Sequence, residues 1–510
     1  MTLARTLAVS LIGLDGQLVE VECDISSGLP GLSFTGLPDT SVVESRDRLR
    51  SALVNSGNDW PQQKITVALL PADLRKVGSR FDLALAVAVL GATGQVPADA
   101  VAGAVWIAEL GLDGRLRPVR GALPSALAAR RLGVQRVVVA PANAAEAALV
   151  SGLDVRAPQD LSEVVAWLNQ TGPAPDQVVP GEGRGTDLDP LDLADVAGQH
   201  AAKRALEIAA AGAHHLYMVG TPGAGKTMLA KRLPGLLPRL GDTASMEVTA
   251  VHSVAGLLGD RPELVRRPPL QAPHHTTSIA ALVGGGSFLA RPGAISLAHH
   301  GVLFLDEAPE FSPRAMDALR QPLEDGHVIL HRAGGAVRYP ARFQVVLAAN
   351  PCPCGLHAPQ CTCAPMVRRR HEQRLSGPLM DRIDLRVRVD PVPHVDLVDS
   401  TGARETTAVV AARVAMARAA AAERWRQERW EVNSAVPGVN LRTAPWLLPR
   451  PALRPAQAFL DRGSLTARGF DRVLRLAWTI ADLAGETVPD AGHVSEALFY
   501  RTGRANSWAA

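Results

Sequence analysis

The chain is poor in aromatic residues and cysteine, and it lacks a long apolar run. Only 4% of its 510 residues are aromatic, so we expect aliphatic, helix-rich cores. The strongest apolar run lies around residues 83–89 and is too short to span a membrane. The apolar stretch near the N-terminus is interrupted by Asp15, and no small-residue cleavage site follows it, which argues against a signal peptide. We therefore expect a cytoplasmic protein without a membrane segment.

The rest of the composition is that of an ordinary globular protein. Hydrophobic residues make up 47% of the chain and charged residues 20%, and the length corresponds to about three domains. The net charge of +3 permits a nucleic-acid partner without requiring one, because a basic channel can lie within a near-neutral total. Four of the five cysteines lie between Cys352 and Cys363, which indicates a local metal or redox cluster rather than a secreted disulfide framework.

Changes in pattern divide the chain into four segments. Residues 1–168 alternate β-type runs with helices, 169–188 form a Gly- and Pro-rich linker, 189–393 carry the nucleotide motifs, and 394–510 are almost purely helical. In the first segment we predict strands at 6–12, 18–21, 64–69 and 136–139, and helices at 42–56, 81–90 and 123–132. In the last we predict a long helix at 408–429, a proline-broken stretch at 436–455 and an amphipathic helix at 472–484.

Residues 220–227 match the phosphate-binding pattern G-x-x-x-x-G-K-[ST] at every position. They are Gly220, Thr221, Pro222, Gly223, Ala224, Gly225, Lys226 and Thr227. A strand predicted at 216–219 and a helix predicted at 228–233 provide the setting that this loop requires. Backbone N–H groups and the positive end of the helix would surround the phosphates, Lys226 would contact the β- and γ-phosphates, and Thr227 would bind Mg²⁺. The motif predicts binding of ATP or a close relative.

Two further strands provide the groups for hydrolysis. The apolar run 302–305 predicts a buried parallel strand that ends in Asp306 and Glu307. Asp306 would support Mg²⁺, and Glu307 would polarise the attacking water. Another apolar strand, 345–349, lies between the other two and ends in Asn350, whose amide would orient water against the γ-phosphate.

The order of these motifs resembles an AAA+ ATPase of the branch that contains magnesium-chelatase motor subunits and MCM helicases. Closer still, the chain is similar to the ComM/YifB family of Mg-chelatase-like proteins. The strings that carry this resemblance lie at 195–199, 272–276, 284–286, 295–301, 350–355, 376–384, 465–469 and 481–483. The resemblance covers essentially the whole chain. It implies an α/β fold with a parallel phosphate-loop sheet core and a helical lid.

The same resemblance assigns two arginines and a hairpin. Arg382 falls at the position of an arginine finger that reaches into the ATP site of a neighbouring subunit, and Arg468 matches the second sensor arginine on the lid. About eighty residues separate the phosphate loop from Asp306, and the part around Gly284 resembles the insert in the second helix of this branch. Residues 327–332 and 336–339 flank a Gly-containing turn and predict a β-hairpin.

In related helicases such hairpins project into a central pore and contact DNA. Here His331, Arg332, Arg338 and Arg342 would contact phosphates without reading bases. The alternative is an ordinary β-hairpin with a solvated basic face.

The cysteines and histidines leave several interpretations open. Cys352, Cys354, Cys361 and Cys363 fit a structural Zn²⁺ site, or else four free thiols or a redox-labile loop. Cys23 is isolated and is expected in a core. The adjacent pairs at 214–215, 274–275 and 299–300 are expected to point in different directions, so that no pair forms one compact site. We expect them to form hydrogen bonds near the nucleotide or the pore.

The N-terminal segment is similar to the Lon protease domain at residues 109–121 and 126–131. Ser79 lies where that family has its nucleophile, but the position of the partner lysine falls near Leu123, and no lysine occurs from Val77 to Val150. Because a Ser–Lys dyad needs an amine to accept the serine proton, we expect an α+β Lon-like domain without proteolytic activity. Assembly or DNA contact would then be its role.

Two functions follow from these resemblances. The first is a hexameric, ATP-dependent motor on single-stranded or branched DNA, like the ComM group, whose role is branch migration during recombination in natural transformation. The second is a chelatase motor that drives insertion of Mg²⁺ into a tetrapyrrole by a partner subunit. The Lon-like segment and the cysteine cluster favour the first, and the missing lysine disfavours an ATP-dependent protease.

Overall fold

Two β-sheets and a group of C-terminal helices organise the chain. They are described in a computed structural model that covers residues 2–179, 191–259, 262–286, 290–332, 335–356, 360–393, 404–428 and 430–503. Among these residues, no helix combines the length and the apolar character needed to cross a membrane.

The N-terminal part contains nine strands and six helices within the described residues. Its strands are β1 (Thr2–Ile12), β2 (Asp15–Ser26), β3 (Gly31–Thr35), β4 (Lys64–Leu70), β5 (Ala104–Ile107), β6 (Glu109–Leu110), β7 (Leu116–Arg117), β8 (Arg136–Val139) and β9 (Asp154–Arg156). Its helices are α1 (Thr40–Asn55), α2 (Asp82–Ala92), α3 (Ala98–Val101), α4 (Ala122–Arg131), α5 (Pro141–Ala148) and α6 (Leu161–Leu168).

Seven of these strands form one sheet in the order β3-β4-β2-β1-β5-β8-β9. The long antiparallel pair β1–β2 turns at Gly13 and Leu14, where Gly13 has a φ of +68°. Helix α2 is buried along its whole length and packs on β1 and β2, which accounts for the apolar run in its sequence. Burial of apolar area is thus the main source of stability in this part.

The central part carries the second sheet. Its elements are α7 (His200–Gly212), β10 (Leu216–Gly220), α8 (Lys226–Ala230), α9 (Leu233–Leu236), α10 (Asp242–Ala255), β11 (Leu270–Gln271), α11 (Ile279–Val283), β12 (Gly284–Gly285), β13 (Arg291–Pro292), α12 (Ala294–Leu297), β14 (Val302–Leu305), α13 (Pro313–Asp317), α14 (Arg320–Asp325), β15 (His327–Arg332), β16 (Gly335–Pro340), β17 (Gln344–Ala349), α15 (Pro365–Glu372), α16 (Gly377–Arg382) and β18 (Leu385–Val389).

Five strands of this part form a parallel sheet in the order β11-β14-β17-β10-β18. Every residue of β14 and β17 is buried, as expected for central strands covered on both faces. The carboxyl ends of β10, β14 and β17 meet at one edge, which is where ligands bind in open α/β sheets. The sheet therefore brings together the three predicted motifs.

The C-terminal helices are α17 (Thr407–Arg424), α18 (Gly438–Leu441), α19 (Arg450–Asp461), α20 (Ala467–Ala484) and α21 (Ala491–Thr502). They share one hydrophobic core with α7 and the parallel sheet. The ring centroids of Trp425 and Trp446 are 4.6 Å apart, and Trp478 lies 6.0 Å from Trp425. The indole N–H of Trp425 donates to Asn433 Oδ1 at 2.8 Å. The scarce aromatic residues are thus partly concentrated in this core.

The predicted strands and helices are present, and the largest differences lie at their ends. Strand β1 begins at Thr2 rather than at 6, and β2 covers Asp15–Ser26 rather than 18–21. The helix after the phosphate-binding loop ends at Ala230, and a separate helix begins at Leu233. Pro234, its second residue, has no N–H to donate to Ala230 O and so cannot continue the first helix. The long C-terminal helix ends at Arg424 rather than 429, and the amphipathic one begins at Ala467 rather than 472. Among the strands of the two large sheets, β3, β5, β9, β11 and β18 were not predicted.

The predicted linker, 169–188, is only partly described. Residues 180–188 lie outside the described residues. Within the described part, Val178 N–H donates to Val155 O at 3.0 Å, and Gln177 forms a β-bridge with Arg156. These two residues therefore pair with the edge of the first sheet, since the edge strand β9 offers unpaired backbone groups.

The N-terminal part contacts the central part at α10 and at the hairpin β15–β16. Ser253 of α10 donates a hydrogen bond to the buried carboxylate of Glu146. At the other contact, a β-carbon added to Gly13 would lie 2.8 Å from Val337 Cγ1. The turn of β1–β2 therefore packs directly on the hairpin.

Candidate nucleotide-binding and hydrolysis site

The phosphate-binding pattern forms the turn between β10 and α8. Gly225 has a φ of +95°, which a residue with a side chain rarely adopts. A β-carbon on Gly220 would lie 2.1 Å from the carbonyl oxygen of Val389 on the neighbouring strand. These two glycines are required by backbone conformation and by close approach, and α8 begins directly at Lys226.

Lys226 is buried and held by oxygens of the loop itself. Its Nζ donates to Gly220 O at 2.7 Å, to Thr221 O at 2.9 Å and to Asn350 Oδ1 at 3.1 Å. Burial lowers the pKa of Lys226, and the nearby Asp306 and Glu307 carboxylates oppose this effect. The ammonium group is therefore positioned at the edge of the sheet where phosphates would bind.

Asp306 and Thr227 form a pair of oxygen ligands suited to Mg²⁺. Thr227 Oγ1 donates to Asp306 Oδ2 at 2.6 Å, which joins the end of β14 to the start of α8. A hydroxyl and a carboxylate at this position are hard oxygen donors of the type that Mg²⁺ prefers. Both residues predicted for the metal thus lie side by side.

Glu307 has a strained backbone and an exposed carboxylate. Its φ is +51°, an unusual value for a residue other than glycine, and strain of this kind is concentrated at functional sites. Its side chain is 51% exposed, and Oε2 lies 3.1 Å from His275 Nδ1. His275 therefore lies beside the carboxylate that was predicted to polarise water.

Asn350 and Gln199 flank the loop from two sides. Asn350 directly follows β17, which lies between β10 and β14, and its main-chain oxygen is 3.2 Å from His371 Nε2. Gln199 Nε2 donates to Ala224 O at 3.0 Å and to Asp390 O at 2.6 Å. Gln199 thus ties the loop to the end of β18. In the sequence, only the family resemblance of residues 195–199 indicated that Gln199 is part of the site.

Arg382 and Arg468 lie together on another surface. Arg382 forms an ion pair with Glu324 and donates to Pro378 O at 2.7 Å, while its buried Nε has no hydrogen-bond partner. The side chain of Arg468 is 79% exposed and lies 3.7 Å from Asp381. Both arginines line one cavity of about 210 Å³. In the described part of the chain, neither forms a hydrogen bond or ion pair with residues 220–227.

The predicted hairpin is present as β15–β16, with one buried and one exposed face. Its residues Val328, Leu330 and Tyr339 are buried, and the Tyr339 hydroxyl donates to Ala290 O at 2.6 Å. His331 and Arg338 are exposed. The turn at 333–334 and the side chain of Arg332 lie outside the described residues.

The expectation that adjacent histidines cannot form one compact site is wrong for His299 and His300. Their rings lie 4.0 Å apart, and the Nε2 atom of each lies 3.0 Å from Glu247 Oε2. His300 has a φ of +54°, and the rings of His274 and His275, neither of which has a positive φ, also lie 4.0 Å apart. Arg342 N–H donates to His299 Nδ1 at 3.1 Å, so Nε2 of His299 carries the proton and donates to Glu247. The cluster is a hydrogen-bond network.

The four clustered cysteines converge after Asn350. Their Sγ atoms all lie within 4.8 Å of one another, and none of them forms a disulfide. Cys23 is buried in the first sheet, as expected. His357 lies outside the described residues.

Ser79 and the lysine nearest to it in the sequence have separate partners. Ser79 Oγ donates to the Glu109 carboxylate, whereas the buried Lys76 amine donates to Pro71 O. Among the described contacts there is no Ser–Lys dyad.

Comparison with protein families agrees with the sheet and its site. A model described as magnesium chelatase, subunit ChlI, matches residues 192–397. Models described as subunit ChlI of Mg-chelatase and as the C-terminal part of subunit ChlI match residues 21–143 and 404–501. Fold and site together define a phosphate-loop protein of the Mg-chelatase AAA+ class.

Relatives extend this similarity over nearly the full length. Uncharacterized protein Rv2897c of Mycobacterium tuberculosis is 51% identical over 98% of this chain and 99% of its own. Competence protein ComM of Haemophilus influenzae is 40% identical over 98% of both chains, and uncharacterized protein YifB of Escherichia coli is 40% identical over 98% of this chain and 97% of its own. The chain belongs to the ComM/YifB family of Mg-chelatase-like proteins.

Proposed function

We propose that this protein is an ATP-dependent, hexameric DNA motor of the cytoplasm that promotes branch migration during homologous recombination or natural transformation. The observation that carries the proposal is the separation of the hydrolysis groups. Lys226, Asp306 and Glu307 lie at the carboxyl edge of the parallel sheet, whereas Arg382 and Arg468 share a different cavity of the same chain. Such an arrangement is complete only when two chains meet.

At the proposed interface, residues of two neighbouring chains have different roles in ATP hydrolysis. Lys226 contacts the β- and γ-phosphates, Thr227 and Asp306 hold Mg²⁺, and the backbone of residues 220–225 surrounds the phosphates. Glu307 polarises the attacking water, and Asn350 orients it. Arg382 and Arg468 of the neighbouring chain stabilise negative charge that develops in the transition state. Mg²⁺ bound there would neutralise phosphate charge, and Cys352, Cys354, Cys361 and Cys363 would hold a structural Zn²⁺.

In this proposal each part of the chain has a role. Residues 1–168 form a Lon-like domain without proteolytic activity, 169–188 a linker, 189–393 the AAA+ core, and 394–510 the helical lid. His331 and Arg338 on the exposed face of β15–β16, together with Arg332 at the end of β15, contact DNA phosphates inside the ring. The name of ComM, a competence protein, supports DNA as the partner.

The second candidate is a chelatase motor that drives insertion of Mg²⁺ into a tetrapyrrole. The matches to magnesium-chelatase families favour it. The magnesium-chelatase 38 kDa subunit of Rhodobacter capsulatus, however, is only 24% identical over 59% of this chain. The higher identity to ComM therefore favours the DNA motor.

The deciding experiment measures ATP hydrolysis with no addition, with single-stranded DNA, with forked DNA, and with a porphyrin plus a chelatase partner. We expect stimulation by DNA. Arg338→Ala should weaken DNA binding about equally for all sequences and reduce the slope of log affinity against log salt by about 1. Arg454→Ala on α19, also exposed, is the matched control. Stimulation only by the porphyrin and its partner would overturn the proposal in favour of the chelatase motor.

A further inference from the structure

The cysteine cluster has the dimensions of a four-thiolate metal site. Sγ of Cys352 lies 3.1 Å from Sγ of Cys354 and 3.4 Å from that of Cys361, and the Cys354–Cys361 distance is 3.6 Å. A tetrahedral Zn²⁺ with bonds of about 2.3 Å places its sulfur ligands about 3.8 Å apart. Since all four atoms lie within 4.8 Å of one another, only small shifts of the sulfur atoms are needed to reach that geometry.

The cluster closes a loop that has no apolar core of its own. Cys352 is the only described residue between 351 and 364 whose side chain belongs to the buried hydrophobic set. At its base, the loop is anchored by His371 Nε2, which lies 3.2 Å from Asn350 O. Within it, Gly355 N–H donates to Cys352 O at 2.9 Å, which forms a tight turn that contains the first two thiols. Long loops without a core require another source of order, and a metal ion provides one.

The turn packs on the phosphate-binding loop. Gly355 has a φ of +77°, and a β-carbon on it would lie 2.7 Å from Pro222 Cγ and 2.8 Å from Cδ. Pro222 is the third residue of the phosphate-binding pattern. At its other end the loop begins at Asn350, which accepts the hydrogen bond from Lys226. The cysteine loop thus contacts the nucleotide site at two points.

We propose that Cys352, Cys354, Cys361 and Cys363 bind one structural Zn²⁺, and that this ion holds Gly355 against Pro222 and thereby maintains the phosphate-binding loop. The zinc site rests on the thiol geometry alone, and its effect on nucleotide affinity rests on the proposed function. Loss of zinc opens the turn, and the loop then loses its support at Pro222 and its fixed Asn350. We expect nucleotide binding to weaken about five- to tenfold, the range for loss of a single interaction.

The first test concerns the metal and uses the full-length protein. Protein purified under reducing, chelator-free conditions should contain about one zinc per chain, and replacement by Co²⁺ should give the absorption of tetrahedral thiolate coordination. Cys352→Ser and Cys361→Ser should abolish both signals, whereas Cys23→Ala should keep them. Protein without zinc, or with a disulfide among the four cysteines in reducing buffer, would overturn the site.

The second test separates the ion from its effect on the nucleotide. Affinity for a fluorescent ATP analogue is measured before and after zinc is removed from the wild-type protein, and again after zinc is restored. Gly355→Ala keeps all four thiols but places a methyl group against Pro222, so it should retain zinc and weaken the nucleotide. Lys226→Ala should retain zinc and lose the nucleotide, which shows that the zinc signal does not depend on the proposed ATPase site. Unchanged affinity after zinc removal would overturn the supporting role.

Discussion

The separation of Arg382 from the phosphate-binding loop predicts that this arginine acts on the ATP of a neighbouring chain. In the structure its partners are Glu324 and the carbonyl of Pro378, and it has no hydrogen bond to the loop within the described residues. Arg382→Ala should therefore bind ATP with unchanged affinity. The substitution should instead raise the free energy of the transition state for hydrolysis, because the negative charge that the guanidinium stabilises develops only there.

The size of the effect follows from the known contribution of such arginines. Removal of an arginine finger lowers kcat about 10³- to 10⁵-fold, which corresponds to about 4–7 kcal/mol of transition-state stabilisation. Lys226→Ala should also be inactive, through loss of nucleotide binding. In an equal mixture of the two variants, each interface has about one chance in four of joining an intact Lys226 to an intact Arg382 in a head-to-tail ring. The mixture should then recover up to about a quarter of the wild-type rate.

The assay is ATP hydrolysis by each variant alone and by mixtures whose co-assembly is verified with two fluorescent labels. Arg454→Ala, an exposed arginine on α19, controls for loss of surface charge. Glu324→Gln breaks the same ion pair from the other side and should keep or raise the rate, since it releases the finger. If mixed assemblies show no recovery, or if Glu324→Gln is as inactive as Arg382→Ala, the arginine has a structural role and the reasoning fails.

Two further predictions concern Glu307 and His215. Glu307→Gln should bind ATP and retain it without turnover, because an amide keeps the shape of the carboxylate but cannot polarise water; hydrolysis at the wild-type rate would remove the assignment. Burial lowers the pKa of His215 to about 4. Below a pH of about 6.5 the unfolded chain therefore binds a proton that the folded chain does not. The free energy of unfolding should then decrease as pH falls from about 6.5 to about 4. Denaturant unfolding of wild type and His215→Gln at several pH values checks this, and an equally steep pH dependence in the variant would contradict it.

Local patterns were sufficient for the main elements of the site. The phosphate-binding loop, the acidic end of β14, Asn350 and the hairpin each depend on residues close in sequence, because glycines permit the turn and apolar runs form buried strands. The parallel order of strands then brings their carboxyl ends together without further information.

Contacts between distant segments could not be read from the sequence. Gln199 forms hydrogen bonds with Ala224 and Asp390, which are 25 and 191 positions further along the chain. Its backbone has a φ of +54°, which the residue type does not predict. The joint position of Arg382 and Arg468 depends on how α20 packs, which is set by the core around Trp425 and Trp478. Helix propensity predicts that such a helix forms, but its orientation is determined by tertiary packing.

The contacts of α10 show how the N-terminal part is joined to the hydrolysis site. Glu146 of α5 is buried and accepts hydrogen bonds from Leu123 N–H at 2.8 Å and from Ser253 on α10. Separating the two parts would leave this carboxylate without one of its donors, at a cost of about 1–3 kcal/mol or more for a charged group. The same helix carries Glu247, whose contacts with His299 and His300 lie immediately before β14 and its terminal Asp306. Helix α10 therefore contacts both the N-terminal part and the residues that precede the strand ending in Asp306 and Glu307. Through these contacts the N-terminal part is packed against the segment that leads to the hydrolysis site.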